Sequence, residues 1–460
     1  MSTEGLAQAQ DKMRAAGVDQ AAIDVFSHYY GELEAGATGL IREDDISPLL
    51  EPARLDAVDV DDDDARDALG KTVIIKLNGG LGTSMGMDRA KSLLPVRDGK
   101  SFLDLIAEQV RHARTATGAR LPLLLMNSFR TQADSMRALG ANPQIQSHGL
   151  PLDFLQNREP KLRVDDLTPV EWPADPSLEW CPPGHGDIYT ALSSSGVLER
   201  LLEEGFRYAS ASNSDNLGAV PDGRIAGWFA SSGAPYAAEL CRRTAADRKG
   251  GHLAIRKADG QLILRDTAQT APEEMDFFTD EHRHPFFHTN NLWWDLEALQ
   301  RALTERGSVL GLPLIRNRKT VDPTDPNSPE VYQVESAMGA AIEVFEGATA
   351  IVVGRDRFLP VKTTNDLLTL RSDAYRLAED GGLRLDVDRA PLVDLDSRYY
   401  KTMEAFDARF PQGAPSLREA ESLTVKGDWT FGADVVVRGA ARLEDAGTPS
   451  RIEDQAVLEG

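Results

Sequence analysis

Residues Lys71 to Arg97, KTVIIKLNGGLGTSMGMDRAKSLLPVR, constrain the fold more than any other stretch. The β-branched run Thr72 to Lys76 predicts a buried strand, and Gly79, Gly80, Gly82 and Gly86 behind it predict a loop. Glycine tolerates positive φ and lets backbone N–H groups approach a ligand closely, so such a cluster suits phosphate oxygens. Lys91 adds a compact positive charge soon after. A plain glycine turn after a strand would satisfy the same residues. Two nucleotide loops of fixed spacing are excluded. The G-x-G-x-x-G fingerprint starting at Gly80 and Gly82 needs glycine where Met85 stands, and a Walker A loop ending at Lys91-Ser92 needs glycine at Met85 and Ala90.

The chain around this segment alternates strand and helix. Ser101 and Asp104 have capping-box spacing, Phe102, Ile106 and Val110 share a face, and Gly118 supplies a stop, so a helix follows the loop. Leu123 to Met126 predict the next strand and TQADSMRALG the next helix, the grammar of a doubly wound α/β sheet. Ligands in such sheets gather at the carboxyl ends of strands. Asn127-Ser128, Gln156 after PLDFL, Asn213 to Asn216 after YASAS, and Thr289-Asn290-Asn291 after FFH stand at such ends. His252 to Ile255 and Gln261 to Leu264 predict a hairpin added to the main sheet. AMGAAIEVF (337–345) reads as a small-residue helix, Thr349 to Val353 as a strand, and Asn365 as the start of a helix.

Three parts are expected. Residues 1–70 read as a helical extension, with Ile23, Phe26 and Tyr30 at helical spacing, closed by an acidic linker at Asp59 to Asp64. Residues 71–383 form the main α/β domain. Residues 384–460 begin irregularly and then change period: Leu423, Trp429, Val435 and Ala441 are six apart, as are Val425, Phe431, Val437 and Leu443. That phase predicts a short left-handed β-helix, whose stacked rungs bury a core no single rung can bury.

With a formal net charge of -23, the chain of 460 residues is not a general binder of nucleic acid or anionic membranes. Any bound anion then needs a local basic pocket, for which Lys76, Arg89, Lys91, Arg97, Arg355, Arg357 and Lys362 are candidates. Two cysteines without metal-ligand spacing, and no apolar signal or spanning segment, lead to the expectation of a reduced, cytoplasmic protein.

WCPPGHGDIY (180–189) joins stiff prolines to two glycines. Asp187 reads as a helix cap, and His185, fenced by Gly184 and Gly186, as a ligand contact. In Asn213-Ser214-Asp215-Asn216, Asp215 suits Mg²⁺, which needs only one or two protein carboxylates when phosphates fill its remaining positions; an Asx turn is the alternative. His282, His284 and His288 match no closed zinc spacing. Lys362 in FLPVK follows an apolar strand and a proline.

LNGGLGTSMG with Lys91-Ser92, LMNSF (125–129), PPGHGD (182–187), SNSDN (212–216), HTNNLW (288–293), ESAMGAAI (335–342) and RFLPVK (357–362) resemble, in order, the motifs of the eukaryotic-like UTP:glucose-1-phosphate uridylyltransferases. Asp88 and Ala90 depart from that pattern, where a basic residue and a proline are expected. The resemblance implies a GT-A-like (Rossmann-like) domain with a mixed, mostly parallel sheet, followed by a short left-handed β-helix. It implies that the Leu77, Asn78, Gly79 and Gly80 backbone and the Gln156 side chain hold the uracil nucleotide, with Gly184 beside it. His185, Asn213 and Asn290 would contact the sugar phosphate, Asp215 would bind Mg²⁺, and Lys91 and Lys362 would face the phosphates. The implied small molecules are UTP, glucose 1-phosphate, UDP-glucose and pyrophosphate. The β-helix ends are candidates for packing a homo-oligomer. Three rivals stay open: the same chemistry on another hexose 1-phosphate, which His185 and Asn290 do not distinguish from glucose; a UDP-sugar glycosyltransferase, whose Asp-x-Asp would here read Asn213-Ser214-Asp215; and a non-catalytic UDP-sugar sensor.

Overall fold

The computed structural model describes residues 3–146, 149–244, 247 and 250–460. Its centre is an eight-stranded sheet: β1 (Ala53–Arg54), β2 (Thr72–Asn78), β3 (Leu123–Asn127), β4 (Asp153–Leu155), β5 (Tyr208–Asn213), β6 (Tyr236–Arg242), β7 (Phe286–Asp295) and β8 (Thr349–Val352). The spatial order is β1-β8-β6-β7-β5-β2-β3-β4. Only β7 runs antiparallel to its neighbours, so the sheet is mixed and mostly parallel, as expected.

The central strands β2 and β3 read as apolar runs because both faces are covered. Ile74, Leu123 and Leu125 enter one buried cluster, while Val73, Ile75, Leu124 and Met126 enter the other. The helix Phe102–Thr117 has the expected Ser101–Asp104 capping box and stops at Gly118 in the left-handed conformation. In the first seventy residues, Ile23, Phe26 and Tyr30 are buried on the helix Gln20–Glu34.

Several segments differ from the sequence reading. The acidic run is no linker: Asp61 caps the helix Asp62–Gly70, whose first turn gathers Asp62, Asp63 and Asp64, where the helix dipole favours negative charge. The hairpin His252–Arg256 and Leu262–Arg265 pairs with Ile46–Pro48 in a separate three-stranded sheet. Met338–Glu343 is a buried 3-10 helix rather than an α-helix, and Gly339 lies so close to His288 that a Cβ would stand 2.7 Å from its Cε1.

The region after Arg384 is also ordered. It contributes β9 (Leu392–Leu395), which pairs in parallel with β10 (Ser416–Val425). The strands β11 (Trp429–Phe431), β12 (Val436–Leu443), β13 (Ser450–Ile452) and β14 (Val457–Glu459) complete two parallel sheets, β9-β10-β12-β14 and β11-β13. Leu423 lies opposite Ala441 and Val425 opposite Leu443. The six-residue phase therefore returns in register after three steps. Leu423, Val425, Phe431, Val435, Val437 and Ala441 are buried, and they continue the same apolar cluster as Ile74 and Phe102.

Candidate active site

Register brings the predicted strand ends to one edge. Asn213 lies opposite Leu77, Asn78 opposite Asn127, and Asn127 opposite Leu155, so the ends of β5, β2, β3 and β4 are level. Asn78 stiffens this edge through its side chain, donating to Asn127 Oδ1 and Ser135 Oγ, each at 2.7 Å. Both N–H groups of its amide are therefore spent on the scaffold.

At one end of the edge, Gly79, Gln156 and Gly184 meet. Gln156 Nε2 donates to the Gly184 carbonyl at 2.9 Å, and a Cβ on Gly79 would stand 2.7 Å from Gln156 Oε1. Gly184 has φ +78, and a Cβ there would stand 2.5 Å from the Ser336 carbonyl oxygen. Close approach to backbone thus requires glycine at 184, whereas a side chain at 79 would push against the end of Gln156. Gly186 N donates to that same carbonyl at 2.8 Å, docking the 182–187 loop on the segment before the 3-10 helix.

His185 Nδ1 accepts from Met338 N at 2.9 Å, which leaves the proton of the neutral ring on Nε2. Desolvation by its neighbours lowers its pKa to about 4, although the residue keeps an exposed surface. Asp187 differs from the expected cap: its carboxylate accepts from Asn157 N and Nδ2 at 2.6 and 2.9 Å instead of capping the helix Ile188–Ser194. Burial raises its pKa to about 7. The Asn157 bonds oppose that shift.

Asn213 and Asn290 are joined by a 3.0 Å bond from Asn290 Nδ2 to Asn213 Oδ1. Thr289, Asn290 and Asn291 do not follow a strand; they lie inside β7, where its pairing with β6 shifts register between Ala238 and Leu240. Asn290 has φ 62 at this irregularity, a left-handed conformation that asparagine tolerates better than most residues.

At the other end, the loop after β2 folds back on itself. Lys91 N donates to Gly80 O at 3.2 Å, and Leu81 bridges to Ala90. This return places Lys91 Nζ 2.7 Å from Asp215 Oδ2, and Nζ also donates to the Val361 carbonyl. Val361 N in turn donates to Asp215 O at 3.3 Å, which sets the adjacent Lys362 beside the pair with its side chain exposed. The expected larger basic pocket does not form. Lys76 is buried on Ser212 Oγ and the Ala219 carbonyl, and burial lowers its pKa to about 7. Arg97 donates to Leu370 and Ser372 carbonyls, Arg355 pairs with Asp247, and Arg357 pairs with buried Glu239.

For a metal ion, the donor set is spare. Among the described residues no group of three or more His, Cys, Asp or Glu side chains is arranged to hold one. A single partly exposed carboxylate, Asp215, fits Mg²⁺ that takes most of its ligands from phosphates and water. The sequence reading passed over Glu239, although one carboxylate inside the apolar run Tyr236 to Cys241 was a signal.

A glycine loop and amides at one end of a sheet edge, with paired charge at the other, define an α/β enzyme that handles nucleotides. The comparisons narrow the class. Residues 23–438 match the family model described as UTP–glucose-1-phosphate uridylyltransferase. The chain belongs to this family and is a nucleotidyltransferase. It is 42% identical over 379 residues to the UTP–glucose-1-phosphate uridylyltransferase of Saccharomyces cerevisiae, covering 81% of this chain and 73% of that protein. The Hordeum vulgare protein of the same name is 40% identical over 399 residues, covering 85% and 81%. Among solved structures, a variant UDP-glucose pyrophosphorylase from Leishmania major in complex with UDP-glucose superposes with a TM-score of 0.92 at 44% identity, covering 99% of this chain and 98% of that one. Among the described residues no helix is long and apolar enough to cross a membrane.

Proposed function

We propose that this chain catalyses reversible, Mg²⁺-dependent uridylyl transfer, converting UTP and α-D-glucose 1-phosphate to UDP-glucose and pyrophosphate. The observation that carries the reading is the convergence of Gly79, Gln156 and Gly184 with Lys91, Asp215 and Lys362 on one sheet edge, in a chain of this family. A phosphate oxygen of the sugar phosphate attacks the α-phosphorus of UTP. The bond from that phosphorus to the α,β-bridging oxygen breaks, and pyrophosphate leaves with the bonding electrons. The nucleophile is already an anion, so the step needs no general base. Catalysis consists of holding two polyanions in line and neutralising charge on the transferring group.

In this reading the Leu77 to Gly80 backbone, Gln156 and Gly184 hold the uracil nucleotide. His185, Asn213 and Asn290 hold the sugar phosphate: His185 offers the Nε2 proton fixed by Met338, and Asn290 is oriented by Asn213. Lys91 and Lys362 face the phosphates. Asp215 would hold Mg²⁺, which when bound supplies positive charge to the triphosphate. The stacked C-terminal strands are read as a short left-handed β-helix whose ends can pack a second copy, and two buried free cysteines suit a reduced, cytoplasmic setting.

Pyrophosphate release from purified protein with UTP, Mg²⁺ and glucose 1-phosphate tests the reading. Release is expected with that pair; release only with another hexose 1-phosphate would reassign the sugar, and none with any pair would leave a UDP-sugar sensor.

A further inference from the structure

We infer that Glu239 is the positioning residue of this site, one buried carboxylate that sets the spacing between the segment carrying Lys362, the turn carrying Asp215 and the bulge carrying Asn290. The inference rests on the proposed reading of those three residues as ligand contacts.

Glu239 is fully buried in β6 and accepts four hydrogen bonds. Arg357 Nε and Nη2 donate to Oε2 and Oε1 at 2.7 and 2.8 Å, Trp293 Nε1 donates to Oε1 at 2.9 Å, and Asn291 Nδ2 donates to Oε2 at 3.1 Å. Its backbone carbonyl accepts from Thr289 Oγ1 at 2.7 Å. Asn290 is therefore flanked on both sides by residues bonded to Glu239.

The same carboxylate reaches the two other parts through Arg357. The Arg357 carbonyl accepts from Asn216 Nδ2 at 3.1 Å and from Asn291 Nδ2 at 3.2 Å. Asn216 Oδ1 accepts from Leu359 N at 2.8 Å, and Asn216 Nδ2 donates to Asn291 Oδ1 at 3.0 Å. Asp215 thus precedes a side chain clamped to the 357–359 backbone, and Val361 and Lys362 follow that backbone directly.

A buried Arg–Glu pair adds little net stability, because desolvation offsets most of the attraction, and an apolar pair of similar volume would fill the core as well. An apolar pair does not supply direction. The guanidinium fork meets a carboxylate in one plane, and here Trp293 and Asn291 take further acceptor positions on the same two oxygens. Losing that orientation shifts the lysine segment relative to Asp215 and Asn290, and a misplacement of roughly 1 Å costs about 100-fold in rate.

The test uses the full chain and three variants: Glu239→Leu combined with Arg357→Met, which removes both charges without leaving one unpaired; Arg357→Lys, which keeps the charge and loses the fork; and Glu239→Asp, which keeps the carboxylate and shortens its reach. Thermal midpoint, UDP-glucose affinity and turnover are measured for each. The double variant is expected to melt within about 10 °C of the parent, most of the loss coming from Trp293 Nε1 left without an acceptor. Its turnover should fall about 100-fold while UDP-glucose affinity changes by less than about tenfold. Arg357→Lys and Glu239→Asp should show smaller losses of the same kind. A folded double variant with near-parental turnover, or one whose turnover falls only as far as its affinity, would overturn the inference. If the double variant does not fold, Arg357→Lys decides, and unchanged turnover in it also overturns the proposal. An unmodified chain inactive with every substrate pair would overturn the reading of the site and this inference with it; an active chain with fully active variants would overturn only the inference.

Discussion

The two ends of this sheet edge are built differently. The end formed by Gly79, Gln156 and Gly184 works through close backbone approach and one amide. The end formed by Lys91, Asp215 and Lys362 concentrates charge, and a buried network of Glu239, Arg357, Asn216 and Asn291 supports it. A neutral base is distinguished by shape and hydrogen-bond pattern, for which a rigid backbone suffices. A polyanion needs cations, and a carboxylate beside them offsets their mutual repulsion; Asp215 lies 2.7 Å from Lys91 here. Affinity for the nucleotide should therefore reside mainly at the first end and turnover at the second.

The largest expected effect is at the charged end. Lys362→Ala should lose about 100-fold or more in kcat while still binding UDP-glucose, measured by steady-state kinetics and calorimetry. Next comes the metal. EDTA should abolish turnover and added Mg²⁺ restore it, and Asp215→Asn should need about tenfold more Mg²⁺ for half-maximal rate. At the neutral end, Gly79→Ala puts a methyl group against Gln156 Oε1. It should weaken UDP-glucose binding about tenfold, or about 1.4 kcal/mol, with kcat nearly unchanged. A kcat loss in Gly79→Ala as large as that in Lys362→Ala would erase the division.

The smallest effect concerns pH. Burial, and secondarily His185, lowers the pKa of His288 to about 4 from its usual 6.5. Between those values the unfolded chain takes up a proton that the folded chain refuses. The stability tied to neutral His288 is therefore complete above pH 6.5 and lost as pH falls toward 4. His288→Gln should lose less melting temperature between pH 7 and pH 5 than the parent, by a few degrees at most, roughly 2 °C.

Local chemistry was legible in the sequence and distant pairing was not. The helix from Phe102 could be read end to end because its capping box and its glycine stop lie within the segment itself. The level strand ends followed from alternation of strand and helix. Thr289 to Asn291 were misplaced because an irregularity inside a strand depends on the partner strand, here at Glu239. The acidic run resembled a solvated linker because its composition is the same whether or not Asp61 caps a helix. Lys91 and Asp215 are 124 positions apart, and no local pattern reveals that they touch. Four of the basic residues assigned to one pocket, Lys76, Arg97, Arg355 and Arg357, turned out to serve the scaffold, since charge alone does not show which way a side chain faces.

The most direct test of the division is to measure UDP-glucose affinity and turnover side by side in Gly79→Ala and Lys362→Ala. The account predicts a crossed result: Gly79→Ala loses affinity and keeps kcat, and Lys362→Ala keeps affinity and loses kcat. Parallel losses in both variants, or near-normal turnover in Lys362→Ala, would contradict it.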